Sequence, residues 1–133
     1  MKKNLLFYIL LIFMIVAGGC QKDKDDTRYK QPFIGKWQQF ECGNPDVDDH
    51  SLFKPNAHTL EFFEDGISLR YETRKYDYQV DSEYLYYNSG KAPDGFTYRY
   101  TFTGPDILRL DYVNGAMPGI YPQITYDIYK RIK

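Results

Sequence analysis

The chain has 133 residues, with 17 Lys or Arg against 18 Asp or Glu, so its formal net charge is −1. This balance leaves no strongly basic patch, and nucleic acid is therefore excluded as an expected partner. Aromatic residues make up 18% of the chain and Tyr alone contributes 14 residues, a composition that favours β-strands. The length suits a single all-β domain with a modest core.

The first segment changes from apolar to charged at one cysteine. Met1-Lys2-Lys3 is basic, and residues 5–16 are almost wholly apolar, with no polar face and too few residues for a typical bilayer-spanning helix. Ala17-Gly18-Gly19-Cys20 resembles the lipobox of bacterial lipoproteins, although Ala17 stands where that family prefers Leu. The resemblance implies a signal peptide over residues 1–19, acylation of Cys20 and attachment to a membrane. An ordinary signal peptide with an incidental cysteine is the alternative.

The residues after the cysteine are polar. Residues 20–31 are predicted to form a lipidated cysteine and a flexible tether, because Tyr29 is the only large apolar residue near their end. The run from Lys22 to Asp26 resembles the acidic, lysine-containing signal that follows the lipidated cysteine in surface-exported lipoproteins of the Bacteroidetes. A plain solvated spacer is the alternative. The expected location is the outer membrane, with the periplasmic and surface faces both open.

Eight short strands are predicted in residues 32–133, most of them joined by tight turns. They are expected near residues 33–42, 58–63, 67–72, 75–80, 84–87, 96–103, 108–112 and 124–129. Their alternation gives each strand one apolar face, which a meander of eight strands buries by closing into a small antiparallel barrel. A β-sandwich is the alternative, but it would usually need longer connections.

Two short motifs in the predicted first and last strands resemble those of a known family. Gly35-Lys36-Trp37 resembles the Gly-x-Trp that opens lipocalins, and Tyr129-Lys130-Arg131 is similar to the last strand of small lipocalin-like lipoproteins of the Bacteroidetes. The resemblance implies that Gly35 allows a close backbone approach, that Trp37 plugs one end of the barrel and that Arg131 lies over Trp37. The chain is shorter than the larger lipocalins, which argues against a large ligand pocket.

The residues that usually carry catalysis or metal binding are scarce. The chain has only two histidines, His50 and His58, and it contains no Gly-rich phosphate loop, no metal-spaced Cys/His cluster and no nucleophile elbow. We therefore expect no enzymatic activity, no cofactor and no metal. The acids beside His50 are interpreted as a solvated loop. With Cys20 acylated, Cys42 is left without a disulfide partner and is expected to be buried and inert.

Two functional hypotheses remain from the sequence. The first is a lipid-anchored binding protein of the cell envelope whose barrel holds a small apolar or glycan ligand, with Tyr98, Tyr100, Tyr112 and Tyr126 as candidate contacts. The second is a protein-interaction lipoprotein, an inhibitor or an accessory subunit of a surface complex, which has a filled core and uses loops 43–57 and 114–122. A cavity above roughly 300 Å³ would favour the first hypothesis, and a filled core the second.

Overall fold

The computed structural model describes residues 27–90, 95–115 and 124–133. The predicted signal peptide, the predicted lipidation site Cys20 and most of the second candidate interaction loop lie outside these ranges. The described chain begins with one helical turn, α1 (Thr27–Lys30), and a 3₁₀ helix (Gln31–Phe33). The eight strands are β1 (Gly35–Gly43), β2 (Thr59–Phe62), β3 (Ile67–Arg70), β4 (Arg74–Val80), β5 (Tyr84–Tyr87), β6 (Phe96–Thr103), β7 (Ile107–Gly115) and β8 (Tyr126–Ile132).

The strands form one closed barrel in chain order. Every neighbouring pair is antiparallel, and β8 pairs with β1 from Lys36 opposite Ile132 to Gly43 opposite Tyr126, which closes the sheet. The all-β antiparallel meander predicted from the alternation is therefore confirmed, as a small lipocalin-like barrel rather than a β-sandwich. No helix among the described residues has both the length and the apolar character needed to cross a membrane.

Side chains from the strands fill most of the interior, because the inward rows of β2 and of β4 to β7 are largely apolar or aromatic and Trp37 of β1 and Tyr129 of β8 join them. Fully buried members include Trp37, Leu60, Phe62, Tyr78, Val80, Leu85, Tyr87, Leu108, Leu110 and Tyr129. The predicted inward rows of β6 and β7 are confirmed: Phe96, Tyr98, Tyr100, Phe102 and Tyr112 pack in or against this core.

The inward rows of β3 and β8 differ from the sequence-based expectation. On β3, Ser68 is fully buried, whereas Ile67 and Leu69, the apolar residues expected inside, lie in the opposite row. On β8, Asp127 and Tyr129 are buried, so Tyr126 belongs to the outer row. The reason is register: a strand inherits its inward row from the neighbour to which it is hydrogen-bonded, even where its own apolar residues favour the other phase.

One end of the barrel is closed around Trp37, as the family resemblance implied. The indole is fully buried and donates a hydrogen bond from Nε1 to the carbonyl of Phe33 at 2.8 Å. The guanidinium carbon of Arg131 lies 4.1 Å from the centre of the indole ring. Gly35 has φ +121°, and a Cβ at this position would meet Nη1 of Arg131 at 2.9 Å. This end is called the closed end below.

The last residues of the predicted flexible tether belong to this closed end. Thr27–Lys30 form the helical turn α1, and the side chain of Tyr29 packs against the core. The Nζ atom of Lys30 lies 5.5 Å from the centre of the Tyr78 ring. Residues 27–31, the last ones of the expected tether, thus lie in α1 and at the start of the 3₁₀ helix, where Tyr29 packs on the barrel.

Candidate functional site

The end of the barrel opposite Trp37 contains a cavity of about 210 Å³. It is bounded by side chains of the inner sheet face and of the neighbouring loops: Gln39, Lys54, Asn56, His58, Arg70, Tyr71, Arg74, Tyr76, Phe96, Tyr98, Tyr112, Ile124, Thr125 and Asp127. The volume is below the range of about 300–1,000 Å³ that holds drug-sized ligands. This open end can therefore receive only a small molecule.

Of the four tyrosines predicted to contact a ligand, two line this cavity and two do not. Tyr98 and Tyr112 are part of its wall, with ring centres 5.9 Å apart. Tyr100 faces inward nearer the closed end, where its ring packs edge-on against Phe33 and its hydroxyl donates to the carbonyl of Asp81 at 2.7 Å. Tyr100 thus contributes to the core and not to the cavity.

Tyr126 is outside the barrel because β8 has the opposite phase from the one expected. Its ring lies 4.3 Å from the guanidinium carbon of Arg109, and its hydroxyl donates to Glu41 Oε1 at 3.2 Å. Tyr126 is therefore withdrawn as a cavity residue. The neighbouring Asp127 takes the inward position and is part of the cavity wall.

The feature that the sequence analysis missed is Arg70, which enters the barrel from β3. Register places it opposite the buried Leu60, so it shares the inner face. Its Nη1 donates to the Tyr98 hydroxyl at 3.2 Å, but its Nε is buried without a hydrogen-bond partner. No carboxylate oxygen of the described residues is within 4.0 Å of its nitrogens. Arg70 is thus a cation with a buried Nε and no ion pair to any described residue.

A second arginine stands directly across from Arg70 on the same hairpin. Arg74 is its partner in the β3–β4 register, and its nitrogens also have no carboxylate within 4.0 Å in the described ranges. The ring of Tyr71 lies 5.7 Å from the guanidinium carbon of Arg70 and 5.6 Å from that of Arg74. Like charges at directly opposed positions disfavour a hairpin, so this pair costs stability.

The turn that joins these two strands is itself strained. Tyr71 and Glu72 have φ of 55° and 64°, a left-handed conformation that non-glycine residues adopt only at a cost of about 1–3 kcal/mol each. The Tyr71 ring lies against His58 with the ring centres 4.5 Å apart. The turn thus places the Tyr71 ring at the rim of the cavity.

A hydrogen-bonded chain of neutral groups forms the wall near His58. The His58 ring is bonded through Nδ1 to Asn56 Oδ1 at 2.7 Å and through Nε2 to the Tyr129 hydroxyl at 2.9 Å. Because an amide oxygen only accepts, Nδ1 carries the proton and Nε2 accepts from Tyr129. Burial, and then the charge of Arg70, lower the pKa of His58 to about 4. His58 is consequently neutral at pH 7.

Asp127 is the one carboxylate of the cavity wall. It is buried and accepts a hydrogen bond from Gln39 Nε2. Burial raises its pKa, and this effect is opposed by the Gln39 hydrogen bond and by Arg70. Three cations, Lys54, Arg70 and Arg74, therefore line the cavity together with one acid.

Two further buried polar atoms near Arg70 have no partner in the described part of the chain, namely Ser68 Oγ and the Tyr87 hydroxyl oxygen. Ser68 lies two residues before Arg70 on the same inward row, and the charge of Arg70 acts on the Tyr87 hydroxyl. Buried polar groups are normally hydrogen-bonded. The hydroxyls of Ser68 and Tyr87 are close enough for Ser68 to lower the pKa of Tyr87, so Arg70 Nε is the clearest unsatisfied group in the described interior.

The remaining sequence-derived expectations concern chemistry elsewhere. Among the described residues no group of three His, Cys, Asp or Glu side chains is arranged to hold a metal ion. In the loop before β2, Asp49 accepts from the backbone and hydroxyl of Ser51. Cys42 is buried, and burial, then Asp127 and Glu41, raise the pKa of its thiol. None of these groups lines the cavity at the open end.

Comparison with known proteins does not assign the chain to a family. No protein-family model matches the chain, and no curated protein matches its sequence.

Proposed function

We propose that the protein is a binding protein of the cell envelope that holds a small ligand in the cavity at the open end of its barrel. The observation that carries this proposal is the guanidinium of Arg70, which lines the cavity with a buried Nε and forms no ion pair with the described residues. An interior that served only as a core would gain stability from an apolar residue at this position. Because buried charges in proteins are normally paired, we take this guanidinium as the group that a ligand would complete.

The cavity volume alone would not carry the proposal. About 210 Å³ is less than the 300 Å³ expected of a site for drug-sized ligands, although the interior at this end is not filled. The wall combines aromatic rings with a few convergent polar groups, which is the usual composition of a small-molecule site. The small volume excludes a long lipid chain and favours a compact molecule.

Native mass spectrometry of the full-length protein, purified gently from its host, tests this function. We expect a fraction of the molecules to carry a bound compound of low mass. A variant with Tyr112→Trp should lose that compound, because the larger ring extends into the cavity. Phe40→Trp is the matched control, since Phe40 is 45% exposed and is not part of the cavity wall. A compound that stays on the Tyr112→Trp variant would place it elsewhere, and its consistent absence from the parent would favour the protein-interaction function.

We further propose that the protein is anchored through an acylated Cys20 to the outer membrane. The support is the sequence order of basic start, apolar run and Ala-Gly-Gly-Cys. Replacing Cys20 with Ser and fractionating the cells tests the anchor. The variant should move from the membrane to the soluble fraction, and a variant that remains as membrane-bound as the parent would refute acylation at this cysteine.

A further inference from the structure

The charges that line the open end indicate which kind of ligand could bind there. Arg70 has five N–H donors, and only one hydrogen bond, to the Tyr98 hydroxyl, is formed with the described residues. A guanidinium stays charged at any ordinary pH, so the deficit cannot be relieved by losing a proton. An anion from outside the chain is the simplest partner for the unused donors.

The surrounding phenols cannot supply that negative charge. Burial raises the pKa of Tyr87, and burial followed by Asp127 raises the pKa of Tyr129, so both hydroxyls stay protonated. Tyr129 already donates to His58, and the Tyr87 hydroxyl has Ser68 as its polar neighbour. The Tyr98 hydroxyl accepts from Arg70, which leaves its own hydrogen available to an acceptor in the cavity. The tyrosines are therefore additional donors.

Asp127 does not neutralise Arg70 either. Its oxygens lie more than 4.0 Å from the guanidinium nitrogens, and one of them is occupied by the Gln39 amide. If Asp127 is ionised, the wall still carries Lys54, Arg70 and Arg74 against one negative charge. The described part of the cavity wall is thus positive, and two of its three cations, Arg70 and Arg74, lie on the β3–β4 hairpin.

Depth and shape narrow the choice of anion. Arg70 is the most buried of the three cations in the described wall, since its Nε is inaccessible to solvent whereas Arg74 and Lys54 are exposed at the rim. A single buried positive charge matches a single negative charge, and a planar fork of donors matches a carboxylate with two bonds. Tyr76, Phe96 and Tyr112 provide aromatic walls for an apolar body.

We propose, on the basis of the proposed binding function, that the ligand is a small organic acid whose carboxylate binds Arg70 and whose compact apolar or aromatic body lies among the rings of the open end. Arg70 is then the residue that determines specificity. Tyr98 positions its guanidinium and offers the carboxylate a hydroxyl donor.

Benzoate and benzamide form the test pair, because they share shape and ring but differ in charge. Each is titrated into the purified full-length protein by isothermal titration calorimetry, with detergent blanks. Benzoate should bind about tenfold to hundredfold more tightly than benzamide, the factor that a charge-assisted hydrogen bond supplies. Phenyl phosphate is the third probe and should bind no better than benzoate, because Arg74 and Lys54 are exposed at the rim, where solvent and salt screen their charges and leave Arg70 as the main partner.

Variants assign the effect to Arg70. Arg70→Gln should remove the preference for benzoate, and Arg70→Lys, which keeps the charge but loses the planar fork, should retain only part of it. Arg99→Gln is the matched control: Arg99 is exposed on the outer face of β6 and bonds Tyr84, so both affinities should be unchanged. If Arg70→Gln does not fold, the ratio of the benzoate and benzamide affinities, measured for the parent and for Arg70→Lys, still tests the role of Arg70.

The outcomes separate this inference from the proposed function. Equal binding of benzoate and benzamide, or undiminished preference in Arg70→Gln, would overturn the carboxylate assignment and leave a neutral-ligand binding protein. Tighter binding of phenyl phosphate than of benzoate would show that the site prefers a phosphate, and the carboxylate assignment would be wrong. Failure of all three probes to bind would overturn the inference, and an endogenous compound found by mass spectrometry would then show that the binding function stands without it.

Discussion

Replacing Trp37 with Ala removes the residue on which the closed end is built. The indole is fully buried, its Nε1 donates to the Phe33 carbonyl at 2.8 Å, and Arg131 lies over its face at 4.1 Å. Phe33 in turn packs edge-on against Phe62 and Phe102 with ring centres about 5 Å away. The substitution therefore loses packing, one buried hydrogen bond and one cation–π contact together.

The magnitude follows from these three losses. Truncating a buried Trp to Ala usually costs about 3–5 kcal/mol. The abandoned Phe33 carbonyl adds a penalty of about 1–3 kcal/mol, and the lost contact with Arg131 about 0.5–2 kcal/mol. These terms overlap, so we expect the upper part of the first range, about 4–5 kcal/mol. Trp37→Phe keeps most of the ring but leaves the Phe33 carbonyl without its hydrogen-bond donor, and it should lower the free energy of unfolding by about 1–3 kcal/mol.

Urea denaturation followed by far-ultraviolet circular dichroism measures both values. Fluorescence is unsuitable because Trp37 is the only tryptophan of the chain. The midpoint should fall with little change in the slope against urea, since the surface exposed on unfolding is nearly the same. A loss below about 1 kcal/mol for Trp37→Ala would refute the view that this plug holds the barrel closed.

Three further predictions follow from other parts of the barrel. Arg70→Met should raise the free energy of unfolding by about 1–3 kcal/mol in ligand-free protein, because it removes an unpaired buried charge; destabilisation above about 1 kcal/mol would contradict this. Because the pKa of His58 is about 4 in the fold and about 6.5 when unfolded, protons favour the unfolded chain and stability should fall between pH 6.5 and pH 4, by about 2 kcal/mol after allowance for partial exposure. His58→Gln should flatten that part of the stability curve, and an unchanged curve would exclude His58 as its cause. Gly35→Ala should cost about 1–3 kcal/mol or more through its positive φ and the contact with Arg131, whereas Gly104→Ala, where a Cβ meets nothing within 4 Å, reports the backbone contribution alone; equal costs would show that crowding at Gly35 is unimportant.

The sequence contains enough information for the barrel because alternation is strong on β6, β7 and β4. It is ambiguous on β8, where tyrosines occur at both 126 and 129, in opposite phases. Two expectations were in conflict there: Arg131 over Trp37 requires odd-numbered residues to face inward, whereas Tyr126 in the cavity requires even-numbered ones. The structure keeps Arg131 inside, and Tyr126 moves to the outer face as a direct consequence.

Arg70 was missed because the apolar row of β3, with Ile67 and Leu69, was expected to face inward. A two-residue turn at Asp65-Gly66 would pair Phe62 with Leu69 and bury the apolar row of β3. The turn instead contains three residues, Glu64 to Gly66, and Phe62 pairs with Ser68. That shift of one residue brings Ser68 and Arg70 inside. A three-residue turn ending in a positive-φ glycine is a common hairpin type, so the signal was present in Gly66, but it did not exclude the shorter turn.

The docking of α1 on the closed end bears on how an anchored molecule would stand on a bilayer. Thr27 begins that turn, and the seven peptide units back to Cys20 span at most about 25 Å when fully extended. If Cys20 is acylated as proposed, the Trp37 end is the end tethered nearest the lipid, and we expect the mouth of the cavity to point away from the membrane, toward molecules arriving from the aqueous side. A spin label at Lys54, on the rim, should then be relaxed by water-soluble agents and not by lipid-soluble ones, and the reverse result would mean that the barrel lies with its mouth against the membrane.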